Sequence, residues 1–286
     1  MKYKNNLIMK HSNFLFIIVA FISLIAFNAC KKEVEVDNET QSVVDNAICE
    51  QQFMSIAPNV NTRGTDPGKS PAFKISACGT WSINSTNPSA DTATTINGEY
   101  TNGPVKFTLD YGPSSSCEGG VEKSGMITIV STHKWSVITQ TNTAVATATI
   151  TFNNYKASGV SYNCDKIIIT KSGASQLTTK VIGGNCQKDG WNIDYACDKT
   201  ITKNANGDYE ITGNSSGKNR EGRNFTSNIL GTNPLFKPAN YKFITKGKLE
   251  LTPEGFKTRT VDFGDGTQDD KATFSVGDQT FTFTMK

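Results

Sequence analysis

Apolar and polar residues alternate along most of the chain after about Phe73. The alternation is strictest in PVKFTLDY, residues 104–111, and in QTFTFTM, residues 279–285. Looser runs of the same kind, bounded by Gly or Asn, are GMITIVST, VATATITF, DKIIITK, SQLTTKVI, GDYEITG, YKFITKGKLELT and KATFSV. A period of two residues predicts strands with one buried and one solvated face, as in antiparallel sheets. We therefore predict a mainly β body over residues 73–286, built either as a sandwich or as one long meander.

A different period occurs earlier, in ETQSVVDNAICEQQFMSIA, residues 39–57. Apolar residues recur there at three- and four-residue steps, which predicts one amphipathic helix; they are Val44, Ala47, Ile48, Phe53 and Met54. Asn38 or Thr40 is available as the N-cap. Pro58 is expected to end the helix, because proline lacks the backbone N–H that a helix interior uses. Residues 39–72 are thus predicted to be a helix and a linker.

The N-terminal segment has the pattern of an export signal. Three lysines precede the apolar run Phe14–Phe27, whose 14 residues are fewer than the roughly 20 that span a bilayer but suit a signal-peptide core. The run is followed at once by NAC, which ends at Cys30 and resembles a bacterial lipobox. We predict a signal peptide at residues 1–29, acylation of Cys30 with palmitate-type chains, and a lipidated tether at residues 30–38.

Charge argues against a nucleic-acid partner. The chain has 29 basic and 26 acidic residues, but three of the lysines lie in residues 1–29, which hold no Asp or Glu. The remaining chain has 26 residues of each sign, so its net charge is about zero. Nucleic-acid binding depends on a clustered positive field, and no such cluster is present in the sequence.

The cysteines predict a disulfide framework. Six remain once Cys30 carries lipid: Cys49, Cys78, Cys117, Cys164, Cys186 and Cys197. An even number in an exported protein favours disulfides, although six cysteines allow 15 pairings. There is no CxxC motif, and His133 is the only histidine after residue 29. A Cys/His metal site or a catalytic Cys–His pair would have to use that single imidazole, which disfavours both.

A short internal similarity suggests two related halves. TLDYG at residues 108–112 and TVDFG at residues 260–264 match at an offset of 152, and each is followed by a polar loop and another strand-like run. The match suggests pseudo-repeated halves at residues 73–185 and 186–286.

The second copy opens an acidic stretch that has two interpretations. Its carboxylates, Asp262, Asp265, Asp269 and Asp270, are hard oxygen ligands of the kind that calcium prefers. DFGDGTQDD does not have the regular ligand spacing of a calcium loop, however. Asp-Gly between two strand-like runs is instead a direct signal for a hairpin turn. A turn is the favoured interpretation, and a calcium-stabilised module is the alternative.

From about Asn38 to Lys286 the order of features resembles a family of uncharacterised lipoproteins of Bacteroidota. The similarity rests on a lipobox, a short helix and a β-rich region that ends in DYEITGNSSGKNREGRNF, NPLF and RTVDFGDGTQDDKATFSV. Members of that family often have Cys where this chain has Tyr241 and Gln268. The resemblance implies that this chain lacks that disulfide and keeps its first-half equivalent, Cys78–Cys117. That bridge would close a 40-residue loop and contribute roughly 3 to 4 kcal/mol by loop entropy.

Other candidate residues are weaker. His133 would serve as a general base only beside an acid. A glycosidase needs two carboxyl groups about 5 to 9.5 Å apart, and the candidates are Asp189, Asp194, Asp198 and Glu210. Trp81, Trp135 and Trp191 either pack in the core or line a glycan-binding face.

These observations favour a lipid-anchored protein of the outer membrane. Its expected role is a non-catalytic binding, adhesion or structural module with a glycan or protein ligand, no cofactor, and the membrane as partner through its lipid. The rival is an enzyme that acts on glycans or envelope polymers. A cleft with two close carboxylates would favour the enzyme, and a β surface with an exposed Trp or Tyr would favour binding.

Overall fold

The alternating runs form antiparallel strands in the computed structural model of the protein. The described residues are 37–65, 79–83, 95–96, 99–101, 103–117, 121–133, 146–171, 173, 175–239, 241 and 243–285. In the first part of the chain the strands are β1 (Thr80–Ile83), β2 (Thr95–Ile96), β3 (Glu99–Tyr100), β4 (Val105–Asp110), β5 (Ser115–Ser116), β6 (Glu122–Ser131), β7 (Ala146–Ala157), β8 (Val160–Asn163) and β9 (Lys166–Lys171). The remainder are β10 (Gln176–Lys188), β11 (Trp191–Lys203), β12 (Tyr209–Lys218), β13 (Asn224–Ile229), β14 (Leu235–Lys237), β15 (Lys246–Pro253), β16 (Arg259–Asp265), β17 (Lys271–Val276) and β18 (Gln279–Thr284).

The strands join into one long antiparallel meander. Sixteen of them form a single sheet in the order β1-β4-β6-β7-β8-β10-β11-β12-β13-β15-β16-β17-β18, with β5, β9 and β14 paired beside this path. β2 and β3 form a separate ladder. The predicted fold class, mainly β and antiparallel with one N-terminal helix, is confirmed, and the meander is the arrangement adopted.

The sheet has one buried and one exposed face, as the period of two predicts. In β11, buried Ile193, Tyr195 and Cys197 alternate with exposed residues. The same pattern continues through β13, β15 and β16. The buried side chains of most strands therefore belong to one continuous hydrophobic cluster.

The boundary suggested between two halves falls inside a strand. Residues 185 and 186 are neighbours within β10, and residues 39–286 form one compact unit. The two copies of the short motif do share local structure, because Gly112 and Gly264 both have positive φ and both donate to the preceding Asp side chain.

Helix α1, Gln41–Thr65, packs on the buried face of the sheet against β10, β11, β12 and β15. Its start agrees with the prediction, since the Thr40 carbonyl accepts the first helical hydrogen bond. The side chain that caps the helix is the Glu39 carboxylate, which accepts from Ser42 N at 2.8 Å.

The prediction that Pro58 ends the helix is wrong. The φ of proline is compatible with a helix, and the cost there is one hydrogen bond and a ring clash. Within the described residues, no helix has the length and apolar character to cross a membrane.

The buried side of α1 is polar as well as apolar. Cys49, Phe53 and Met54 are buried, but so are Asp45 and Glu50, whereas the predicted apolar residues Val44, Ala47 and Ile48 are only half-buried. The prediction of which helix face contacts the core was therefore partly wrong, because charged residues on that face have partners on the sheet.

Three ion pairs join α1 and Glu39, two residues before it, to the strands and turns of the sheet. Glu50 Oε1 lies 2.6 Å from Lys199 Nζ, and Asp45 Oδ1 lies 2.5 Å from a guanidinium nitrogen of Arg220. The third joins Glu39 to Arg259, which also donates to the Glu39 backbone oxygen at 2.8 Å. Lys199 and Arg259 are almost fully buried. These charges lie where an isolated charge would be strongly unfavourable, so each depends on its partner.

A disulfide fixes the same helix to β10. Cys49 and Cys186 are bonded, with Cα atoms 6.4 Å apart and a sequence separation of 137. The candidacy of Cys197 is wrong: its thiol is free and buried, because its cross-strand neighbours are Val181 and Ser215 rather than cysteines. Cys117 is disulfide-bonded to a residue outside the described part of the chain. Cys30 and Cys78 also lie outside it, so acylation of Cys30 and the Cys78–Cys117 pairing stay predictions.

We expect Lys199→Met to lower the free energy of unfolding by about 3 to 5 kcal/mol, because it leaves the Glu50 carboxylate buried without a cation. Combining it with Glu50→Leu should restore most of that stability, since the remaining buried charge is removed too. Urea unfolding of the single and double variants measures both effects.

The matched control is Lys180→Met, which removes a cation 3.8 Å from Asp198 on the exposed face. This change should cost less than about 1 kcal/mol. A similar loss for Lys199→Met and Lys180→Met would contradict the dependence of Glu50 on Lys199.

Candidate functional site

An open depression lies at one end of the sheet, where two hairpins turn. We call it the Trp191 cleft; it is lined by Gln187, Lys188, Gly190, Trp191, Asn192, Lys218, Asn219, Arg220 and Gly222. Its volume is about 480 Å³, which lies in the range of small-molecule sites. The lining combines one large aromatic ring with amides and cations.

The first hairpin presents Trp191 at its tip. Asp189 and Gly190 connect β10 to β11, and Lys188 is paired directly with Trp191 in register. Gly190 has a φ of +85°, which an ordinary side chain would disfavour. Directly opposite residues on antiparallel strands share a face, so Lys188 and Trp191 lie side by side on the helix side of the sheet.

The second hairpin contributes Arg220, which is held on two sides. Asp45 on helix α1 accepts from the Arg220 backbone N and side-chain Nε, both at 2.8 Å. The guanidinium carbon lies 4.5 Å from the centre of the Trp191 ring, within the range of a cation–π contact. Trp191 is therefore oriented by a chain of contacts that begins in the buried helix.

Asn219 organises the turn that carries Arg220. Its side-chain oxygen accepts from the backbone N of Glu221 at 3.0 Å and of Arg223 at 2.9 Å. Its amide nitrogen donates to Ser42 Oγ at 3.0 Å and to Glu39 Oε1 at 3.3 Å. A buried side chain with its hydrogen bonds made in this way holds the turn in one conformation.

On the outer side of the same hairpin, an amide network extends from the cleft. Asn185 Nδ2 donates to Asn192 Oδ1 at 2.7 Å and to Asp194 Oδ1 at 3.1 Å. Asp194 also lies opposite Lys218 in the β11–β12 register. The carboxylate is thus engaged by amides, and no carboxylate is among the described residues that line the cleft.

The carboxylates suggested as a glycosidase pair are exposed and dispersed. Asp189, Asp194, Asp198 and Glu210 are all on the surface. Asp194 and Asp198 share one face of β11, but four residues of strand separate them by about 13 Å, beyond the reach of a glycosidase pair. The structure does not bring these residues into an acid/base arrangement.

A smaller cavity lies between α1 and the sheet. It is lined mainly by apolar side chains, among them Met54, Ile211, Phe243, Phe263 and Met285. Its volume is about 40 Å³, which is room for water but not for a sugar. Glu50 at its wall is already paired with Lys199, so this space is part of the core.

The acidic stretch forms turns. Asp262, Asp265 and Asp269 each accept a hydrogen bond at 3.0 Å from the backbone N two residues later, at Gly264, Thr267 and Lys271. Asp262 also lies 2.8 Å from Lys248 Nζ. Burial acts to raise the pKa of Asp262, but Lys248 and the Gly264 N–H outweigh it and lower that pKa. The β16–β17 hairpin expected from Asp-Gly is present, and no group of three or more His, Cys, Asp or Glu side chains in the described chain is arranged for a metal.

The two free thiols are not activated nucleophiles. Burial raises the pKa of Cys164 to about 12 and of Cys197 to about 11. A reactive cysteine needs a lowered pKa and access to solvent, and the Cys197 side chain is buried.

The remaining sequence candidates lie apart from the cleft or outside the described residues. His133 is half-buried, and its Nδ1 lies 2.8 Å from Thr132 Oγ1. Trp135 and the side chain of Trp81 lie outside the described part.

The sequence predicts Trp191 as a glycan-contacting or core aromatic residue, but it does not single out Arg220 or Asn219. Their segment, GKNREG, predicts only a turn from its glycines, because their partners are 175 to 180 residues away in sequence.

We expect a chelator such as EDTA to leave the melting temperature unchanged, because the Asp side chains of the acidic stretch already bond the backbone and Lys248. A fall of several degrees, reversed by calcium, would contradict this and support the calcium-stabilised module. Asp265→Asn is the matched variant: its amide oxygen accepts the same turn bond, so it should melt like the parent in both conditions.

We expect the buried Cys197 thiol to make stability fall at alkaline pH. Its native pKa of about 11 lies above the ordinary value of 9.0, so its contribution is complete below about pH 9 and is lost as the pH rises towards 11. Between pH 7.5 and pH 10 the parent should lose about 1 kcal/mol more than Cys197→Ala does. Urea unfolding at the two pH values measures the difference, and equal losses would contradict it.

Comparison of this chain with protein-family models, curated proteins and solved structures finds no match. Its function therefore has to be argued from the geometry of the Trp191 cleft and from the sequence.

Proposed function

We propose that this protein is a non-catalytic glycan-binding module of the bacterial outer membrane, anchored by acylation at Cys30. The observation that carries the proposal is the Trp191 cleft, in which a fixed indole ring stands among side-chain amides and cations. Glycan ligands expose apolar C–H faces and many hydroxyl groups, so their sites need both a flat apolar surface and dense hydrogen-bonding groups.

The components of the cleft match that requirement. Trp191 is half-buried: it packs against the hydrophobic core and carries the Arg220 guanidinium over its ring. Gln187 also lines the cleft and is exposed, from the outer face of the hairpin, whereas the Asn192 amide on that face is already bonded to Asn185 and Asp194. Amides both donate and accept hydrogen bonds, which suits hydroxyl groups.

The cleft is also rigid, which favours binding over a mobile surface. Arg220 is fixed by Asp45 and stacks on Trp191, and Asn219 fixes the turn next to it. Groups that are already ordered before binding lose less conformational entropy when the ligand arrives. The helix therefore contributes to affinity although it does not line the cleft.

The absence of carboxylates from the described lining favours a binding site over a hydrolase. Hydrolysis of a bound polymer would nevertheless be detected in the same assay, because it would release products.

The test is a glycan array followed by polysaccharide pull-down with the full chain and with Trp191→Ala. We expect specific retention by the parent and about tenfold weaker binding by Trp191→Ala, which corresponds to about 1.4 kcal/mol. Trp191→Phe should retain part of the binding, because it keeps an aromatic face.

Tyr241→Ala is the matched control, since it removes an aromatic ring that packs on Phe243 outside the cleft. Equal binding by Trp191→Ala and the parent would exclude the cleft as the site. Absence of binding to every glycan would overturn the proposal of a glycan ligand. Release of products from a bound polymer would support the rival proposal of an enzyme.

A further inference from the structure

Strand β18 is an open edge of the sheet. It lies at the end of the strand order and is paired on one side with β17, in a register that joins Val276 to Gln279 and Thr273 to Thr282. Among the described residues, no strand is paired with its other side. The unpaired N–H and C=O groups of an edge strand are a template for a further strand.

The hairpin fixes which residues face that edge. Gly277 and Asp278 form a two-residue loop, so the flanking pair Val276–Gln279 exchanges hydrogen bonds. Hydrogen-bonded and non-hydrogen-bonded pairs alternate along an antiparallel ladder. Phe281 and Phe283 therefore use their backbone groups towards β17, and the backbone groups of Thr280, Thr282 and Thr284 point to the open edge.

The sequence of β18 is complementary to itself. When two copies are placed antiparallel with Thr282 opposite its own equivalent, Thr280 lies opposite Thr284 and Phe281 lies opposite Phe283. The outward-facing residues then form three hydrogen-bonded pairs, which gives about six N–H···O bonds at two per pair. These bonds require the backbone groups of Thr280, Thr282 and Thr284 to point away from β17, and the register of the β17–β18 hairpin places them in that direction.

The side chains fit the same arrangement. Phe281 and Phe283 are half-buried against Phe274, at centroid distances of 5.0 Å and 6.1 Å. The equivalent Phe residues of a second copy would cover their exposed parts as cross-strand aromatic pairs. On the other face, Thr280, Thr282 and Thr284 are exposed and would form a Thr ladder.

The strand also lacks the features that protect edges. QTFTFT contains no Lys, no Pro and no other charged residue, although natural edge strands commonly use these to prevent pairing. We propose that this protein forms a two-fold symmetric dimer in which β18 pairs antiparallel with β18 of a second copy, so that the two sheets become continuous. Pairing of β18 with the opposite edge, β1, would instead produce open chains of molecules.

The test uses the symmetry of Thr282, which faces itself across the dimer axis. The full chain is purified in detergent, and its protein mass is measured by sedimentation equilibrium in density-matched solvent. We expect the parent to be a dimer. Thr282→Lys and Thr282→Glu should each be monomers, because two like charges would face each other. An equimolar mixture of the two variants should restore dimers that contain one copy of each.

Folding is preserved in these variants, since Thr282 is exposed and its backbone makes no hydrogen bond to β17 in this register. The matched control is Thr273→Lys, which places the same charge on the adjacent strand, directly across from Thr282, and should remain dimeric. A monomeric parent, dimers for both single variants, or failure of the mixture to recover would overturn the proposal. Masses above the dimer would indicate pairing of β18 with β1 instead.

Discussion

The ion pairs between helix α1 and the sheet are the interaction on which the rest of this structure depends. Removing a carboxylate and a cation from water costs several kcal/mol for each ion, and attraction offsets that cost only in good geometry. Glu50 and Lys199 meet at 2.6 Å, and Asp45 makes three contacts with Arg220. Buried charges are favourable only where each meets its partner in good geometry, so they restrict the position of the helix beyond what apolar packing does. We infer that these pairs fix the helix in register, and the Cys49–Cys186 disulfide holds it in the same place.

The class of the fold could be predicted because the strands obey a simple rule. Each strand buries one face, so its apolar residues recur at every second position, and this is visible without knowledge of neighbours. QTFTFTM and PVKFTLDY therefore predict β18 and β4 closely. The hairpin at the acidic stretch was also predictable, since Asp and Gly determine the turn through contacts within two residues.

The helix shows where this reasoning fails. An apolar period can identify a buried face only when burial is apolar, and α1 buries Asp45, Asn46 and Glu50. Their partners are Arg220, Ser215 and Lys199, which are 149 to 175 residues away in sequence. The pairing of Cys49 with Cys186 was unpredictable for the same reason, because it depends on where the helix rests on β10. Trp191 was recognisable as a candidate, but its fixed orientation depends on Arg220 and so on the helix.

The Trp191 cleft therefore depends on a helix that does not line it. Arg220 contacts the ring on one side and Asp45 on the other, and Asn219 in the same turn contacts Ser42 and Glu39. The residues that position the turn belong to the first two turns of α1 and to Glu39, two residues before it. The residues that they position belong to the β12–β13 hairpin. Because Asp45 accepts from both the backbone N and the Nε of Arg220, the start of α1 determines where the guanidinium meets the Trp191 ring. Asp45 and Glu39 thus position the β12–β13 turn as well as the helix, whereas Glu50 and Lys199 act in the core alone.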